Sequence, residues 1–342
     1  MANNDWQEYQ SIQGAMFDNE AIISFGNTQN ELLYTQNQNI ICDLSHLGLL
    51  EISGDDAATF LQGQVTNDVR LLDGSHAHYS GYCSPKGRLL ALFFAFSHGQ
   101  HLHLQLNHKL LEPISKRLKM YVMRSKVNIT NVSDTSVRIG LSGNELPDLL
   151  VPFFSKIPAQ TYELTCTNNC TLIRLSGKTP RFEIICDTAL GKEIWQALKT
   201  NCKPVGKPCW EWLEIQAGIP DIYLQTQEEF VPQMINLDLL DAINFKKGCY
   251  TGQEIVARTH YIGKVKRRTH LAHLSTSAPP QAGNDVTNDS NDVVGKIVRS
   301  AQCPAGGYDV LAEIRLESVE AGCLLVNGVR ADIQHLPYAL SE

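Results

Sequence analysis

Asn244-Phe245-Lys246-Lys247-Gly248-Cys249-Tyr250-Thr251-Gly252-Gln253-Glu254 is the segment whose residue types and spacing come closest to chemistry. Thr251 followed three residues later by Glu254 has the form of a capping box, which predicts a helix starting at Gly252 with its unpaired amides facing the preceding loop. Cys249 lies in that loop. A thiol near a helix amino terminus and close to Lys246 and Lys247 is expected to favour its thiolate, which makes Cys249 the candidate reactive cysteine. The same wording also fits a small residue packed into a tight turn between Gly248 and Gly252. A lone thiolate does not hold an iron–sulfur cluster, which normally takes four protein ligands, although it can supply one ligand in transit.

Beyond this segment, Arg258, His260, Lys264, Lys266, Arg267 and Arg268 crowd together in a chain of formal net charge −7. Such a stretch suits an anionic partner, the glutamate tail of a folate or an RNA backbone, or else forms a solvated charged face. Other groupings carry less. His101 and His103 share one face of an alternating strand, and with no third ligand nearby in sequence they read as a solvated face, as do His76 and His78. The ten cysteines are irregularly spaced, with no CxxC, so neither a zinc ribbon nor a secreted disulfide framework is written here. No GxGxxG, H-E-x-x-H or Ser/His/Asp order nominates dinucleotide chemistry, zinc proteolysis or hydrolysis.

The elements that must position these residues alternate in type. Leu49 to Ser53 reads as a strand, followed by an Asp-capped helix bearing Ala57, Phe60 and Leu61 on one face. Tyr79 to Leu106 is strand-like, with Leu89 to Phe96 buried. Ile114, Leu118, Tyr121 and Val122 recur at helical spacing, as do Ile194, Ala197 and Leu198. A helix around Trp210 to Ala217 ends at Gly218. Beyond Lys264 the helical signal fades, and short strands at Val293 to Val298, Tyr308 to Ile314 and Cys323 to Val326 predict a compact β-barrel.

With 342 residues, 43% of them hydrophobic and 19% charged, the chain has material for two or three packed domains and too little charge for extensive disorder. The acidic balance excludes non-specific coating of nucleic acid. Met1 to Gln10 lacks Lys and Arg, unlike a secretory or mitochondrial leader, and no apolar run is long enough to span a bilayer. A cytoplasmic protein with no membrane partner is the expectation.

Lys246 to Glu254, KKGCYTGQE, resembles the signature of the YgfZ family, in which a cysteine sits inside K-G-C-Y-x-G-Q-E. Gly54 to Val69, Cys83 to Ala91, Leu213 to Pro220, Phe230 to Asp238 and Leu336 to Glu342 resemble the same family in the same order. The resemblance implies an α+β fold like that of the glycine-cleavage T-protein: two mixed α+β domains around a central folate opening, then a small β-barrel. It divides the chain into an unplaced segment 1–43, an α+β region 44–263 and a barrel 264–342.

The implied function is a tetrahydrofolate-binding accessory protein for the assembly or repair of iron–sulfur enzymes, including those that thiolate tRNA. Tetrahydrofolate is then a bound effector, no permanently bound metal is expected, and the partners are iron–sulfur client or assembly proteins. Cys249 is the implied functional thiol. Trp210, Lys246, Gly248, Tyr250, Gln253, Glu254 and Arg258 are the implied folate-side residues, with the indole stacking on the ligand. A second family tryptophan falls at Leu47. The T-protein carboxylates fall at Leu90 and Ala91, and its pterin-holding glutamate near Thr179, which argues against the alternatives of an aminomethyltransferase or a demethylase. A tRNA-binding module using the basic stretch is the other alternative.

Overall fold

A computed structural model describes residues 4–167 and 169–340, so Ser341 and Glu342, the last two residues of the family-like ending, lie outside the described residues, as do Met1 to Asn3. Two large sheets, one antiparallel and one mixed, and a closed barrel surround a central helix. One sheet orders its five strands His78–Cys83, Leu89–His98, His101–Asn107, Leu47–Ser53 and Asn128–Asn131. The six-stranded sheet runs Leu164–Thr167, Cys170–Leu175, Arg181–Cys186, Val137–Ser142, Ile40–Asp43 and Lys203–Val205, the last pair parallel.

The amino-terminal segment is built into this second sheet. Ile40–Asp43 is an inner strand, Trp6 donates its indole N–H to Asp43 over 2.8 Å, and Glu31 accepts from the Gly206 amide over 2.8 Å. Its polar composition hid the partner of Glu31, which comes from 175 residues away.

The carboxy-terminal barrel closes six strands in the order Arg267–Leu274, Tyr308–Arg315, Val293–Gln302, Asp285–Thr287, Leu325–Val326 and Val329–Gln334. It has its own apolar core of Leu274, Val286, Ile297, Val310 and Ile314. The helix Lys207–Gln216 starts with Pro208 in its first turn and ends where Gly218 takes a φ of +69°, as its sequence predicts. It buries Trp210, Leu213 and Ile215 and packs against both the barrel and the helix Thr28–Asn37.

Three local expectations are corrected. Asp56 caps no amide of the helix Ala57–Gln62; its carboxylate accepts from the Lys126 amide instead. The helix expected from Ile114, Leu118, Tyr121 and Val122 starts earlier, at His108, because Asn107 caps the Lys109 amide. His101 is exposed as expected, but His103 is not solvated. Its ring stacks on Phe96 at 5.0 Å, burial pushes its pKa down to about 4, and Glu51 lies within 3.8 Å.

Candidate functional site

Lys247 fixes the signature loop. Its ammonium donates to the carbonyl oxygens of Gln62, Val65 and Asn67 at 2.8, 2.6 and 2.8 Å and sits 5.2 Å from the Tyr250 ring. Burial lowers its pKa to about 8, so the charge is present at neutral pH. This lysine is therefore a strut rather than a free cation beside the thiol.

The predicted capping box is absent. The helix is Gln253–Tyr261, its cap is Gly252 at φ +83°, and no side chain caps it. The reason is packing: a Cβ on Gly252 would lie 2.4 Å from the Ser84 carbonyl and 2.9 Å from Gly87, so the loop presses directly onto the turn from Ser84 to Arg88. Gly87, at φ +69°, faces Ile255 in the same way.

Tyr250 is buried in this contact, while Lys246, Gly248, Cys249, Glu254 and Arg258 are exposed and Gln253 is half-buried. Part of the basic stretch is already neutralised. Arg268 is buried against Asp238 at 2.6 Å, and Arg267 pairs with Glu313 at 3.0 Å, which leaves Arg258, Lys264 and Lys266 exposed.

A different set of residues meets at the centre of the molecule. Strand ends of both sheets, the end of the helix Lys207–Gln216 and one barrel strand wall a small chamber of about 50 Å³. Its polar walls are Gln105, Asn107, Glu183, Glu214, Asp221 and Arg299; Leu47, Leu92 and Phe94 are among its apolar ones. Asn107 is also a wall of an outer cleft of about 450 Å³, which opens between Lys207, Tyr223, Pro280 and Tyr308.

Burial dominates the electrostatics of the chamber. It pushes Glu183 up to about 7, against the Gln105 hydrogen bond and Arg138. It pushes Asp221 up to about 6, against Arg299 and the Asn107 hydrogen bond. Arg299 is held by Glu211 at 2.8 Å and by the Ile219 carbonyl at 3.2 Å, with Glu214 at 3.7 Å. Burial acts to raise Glu211, but Arg299 and then Lys207 outweigh it and hold that carboxyl at about 2. Glu214 also accepts from Arg181.

Two acceptors remain unmet. Gln105 donates to one Glu183 oxygen over 3.2 Å, leaving Glu183 Oε1 and Gln105 Oε1 buried without a hydrogen bond. An orphaned buried acceptor is costly unless something completes it.

None of Trp210, Lys246, Gly248, Cys249, Tyr250, Gln253, Glu254 and Arg258 walls the chamber or the cleft. Trp210 is 2% exposed, packed against Gly140 and 4.5 Å from the Arg181 guanidinium. Leu47, where the second family tryptophan falls, does line the chamber, whereas Thr179 lines a separate pocket beside Trp212. Leu90 and Ala91 are buried strand residues, and it is Leu92 and Phe94 that their strand turns to the chamber. Sequence reasoning missed Asp221 and Arg299 altogether, since each is an isolated charge without a local motif, and gave Glu214 no role although it lies in the family-like segment from Leu213 to Pro220.

The fold is that of the T-protein class: glycine cleavage system aminomethyltransferase T from Bartonella henselae superposes with a TM-score of 0.81 at 16% identity, over 97% of this chain and 96% of that one. Residues 7–247 match the family model described as GCVT N-terminal domain. The tRNA-modifying protein YgfZ of Sodalis glossinidius (strain morsitans) is 30% identical over 308 residues, covering 88% of this chain and 94% of that protein. Its counterpart in Yersinia pseudotuberculosis serotype O:1b (strain IP 31758) is 31% identical over 309 residues, covering 88% and 93%. The chain belongs to the YgfZ family of GcvT-like proteins. Among the described residues, no helix is long and apolar enough to cross a membrane.

Proposed function

We propose that this protein binds tetrahydrofolate at the central chamber and acts as a folate-dependent accessory protein for iron–sulfur enzymes, including those that thiolate tRNA. The observation that carries the folate reading is the pair of unmet buried acceptors, Glu183 Oε1 and Gln105 Oε1. A reduced pterin presents an amino group and ring N–H donors along one edge, which is the complement these acceptors lack. Glu183, Gln105 and Asp221 would hold that edge, with the apolar faces of Leu47, Leu92 and Phe94 beside the ring.

The chamber of about 50 Å³ has room for waters rather than a bicyclic ring. The cleft of about 450 Å³ is in the size range of ligand pockets, roughly 300–1,000 Å³. Binding in this reading therefore opens the boundary at Asn107, whose amide is bonded to Asp221 at 3.1 Å, and leaves the tail of the ligand in the cleft.

The accessory role rests on family membership and on what the strand Leu89–His98 offers. It presents Leu92 to the chamber and buries Leu90 and Ala91, so it contributes no carboxylate to steady a charged amine in one-carbon transfer. The relatives' name, tRNA-modifying protein, supports tRNA-thiolating enzymes among the clients. Cys249 is exposed, as a thiol that meets a partner must be, and supplies that contact.

Calorimetry with tetrahydrofolate tests the site. Wild type binds, while Glu183→Gln, which gives up the carboxylate charge, and Gln105→Leu, which removes an acceptor, each lose about tenfold or more, as expected when a charge-assisted or buried hydrogen bond is lost. Equal affinity in all three proteins would refute the chamber as the site. Deleting the gene and assaying iron–sulfur enzymes in the host tests the accessory role separately.

A further inference from the structure

Far from the signature loop, three side chains of metal-ligand type converge where the barrel meets the helix Lys207–Gln216. His273 and Asp309 are directly opposite one another on paired strands, and His273 Nδ1 lies 2.8 Å from Asp309 Oδ1. Cys303 follows the strand Val293–Gln302 in the turn back to Tyr308, tied by its amide to the Gly307 carbonyl at 3.0 Å. The ligand atoms of the three all lie within 4.8 Å of one another.

We propose that His273, Cys303 and Asp309 form a binding site for a borderline divalent transition-metal ion. Imidazole nitrogen, thiolate sulfur and carboxylate oxygen together suit such an ion, and three protein ligands leave a position open. The carboxylate is already oriented from behind. Trp212 Nε1 and Gln216 Nε2 both donate to Asp309 Oδ2, at 2.8 and 2.9 Å, which turns Oδ1 toward His273 and Cys303. Outer hydrogen bonds of this kind fix the direction of a ligating group.

Gly307 keeps the approach clear. A Cβ there would lie 3.1 Å from His273 Nε2 and 2.4 Å from the Leu274 carbonyl, and its φ of +67° favours glycine. Asp309 and Cys303 are buried, and the side chain of His273 is 22% exposed, so the imidazole is the side from which an ion enters.

Donors around a tetrahedral ion sit roughly 3.5 Å apart, so on binding the His273–Asp309 pair, now at 2.8 Å, opens slightly while the widest separation, no more than 4.8 Å, narrows. Binding replaces the Cys303 S–H bond with a metal–sulfur bond and releases that proton to solvent; the proton His273 shares with Asp309 from Nδ1 moves to Nε2 through solvent, and Nδ1 and Oδ1 each bond the ion. A thiol must give up its proton to ligate, so affinity rises with pH. The ion would pin the barrel to the helix through Asp309, Trp212 and Gln216.

The test uses tag-free, chelator-stripped full-length protein titrated with zinc against a chromophoric chelator, and with cobalt(II) for its thiolate charge-transfer absorption. Wild type is expected to bind one ion per chain with that absorption. Cys303→Ser is expected to lose the absorption and most of the affinity, and Trp212→Phe to weaken zinc about tenfold by freeing Asp309. Cys166→Ser, which removes an exposed thiol elsewhere, is expected to bind as wild type does. Circular dichroism in chelator confirms that each variant is folded. The absence of saturable zinc binding, or equal zinc affinity in wild type, Cys303→Ser and Trp212→Phe, would overturn the site and leave a hydrogen-bonded His–Asp pair beside a buried thiol.

Discussion

Lys247 donates to the carbonyl oxygen of Val65 over 2.6 Å, joining groups 182 residues apart in sequence. The signature loop is thereby locked to the segment from Gln62 to Asn67. Lys247→Met should lower stability by at least about 2 kcal/mol, because it strips charge-assisted bonds from buried carbonyls. The urea midpoint measures this. An unchanged midpoint would mean that the ammonium is dispensable to the loop.

Glu183 ties stability to pH. Its folded pKa of about 7 lies above the ordinary 4.5, so the folded state binds the proton more tightly. Stability from this group is complete below about 4.5 and is lost as pH rises through 7. A displacement of this size corresponds to on the order of 3 kcal/mol. Glu183→Gln, which cannot ionise, should match wild type near pH 4.5 and exceed it toward pH 7 and above. Denaturant midpoints across that range should diverge in this sense; parallel curves would show that the carboxyl is not strained.

Trp210→Ala should act on the core. Removing an indole packed against Gly140 and Arg181 costs about 3–5 kcal/mol by the usual large-to-small penalty. Measured well below its unfolding transition, the variant should lose less tetrahydrofolate affinity than Glu183→Gln. The reverse order would return Trp210 to the ligand.

Cys249 should be alkylated much faster than Cys83 or Cys303 at neutral pH. It is exposed, whereas the other two are buried and burial pushes their thiols up to about 12 and about 11. Mass-resolved labelling decides the order. Comparable rates would remove the accessibility argument for a functional thiol.

What the sequence determined by itself is mostly local. Apolar periodicity and end signals specify the helix Lys207–Gln216 with its glycine stop, the buried strand Leu89–His98, and the run of short strands after Lys264. The nine-residue wording around Cys249 specifies the family, and one of its glycines, Gly252, is demanded by the backbone of Ser84 and Gly87 pressed against it. Tertiary structure decided the rest. Thr251 and Glu254 have the spacing of a capping box, yet the close approach of Gly252 to Ser84 starts the helix another way. Lys247 reads as a cation beside a thiol until three carbonyls from a distant segment surround it. Glu183, Asp221 and Arg299 come from three elements with no shared motif, and their charges are set by burial, which spacing along a chain does not encode.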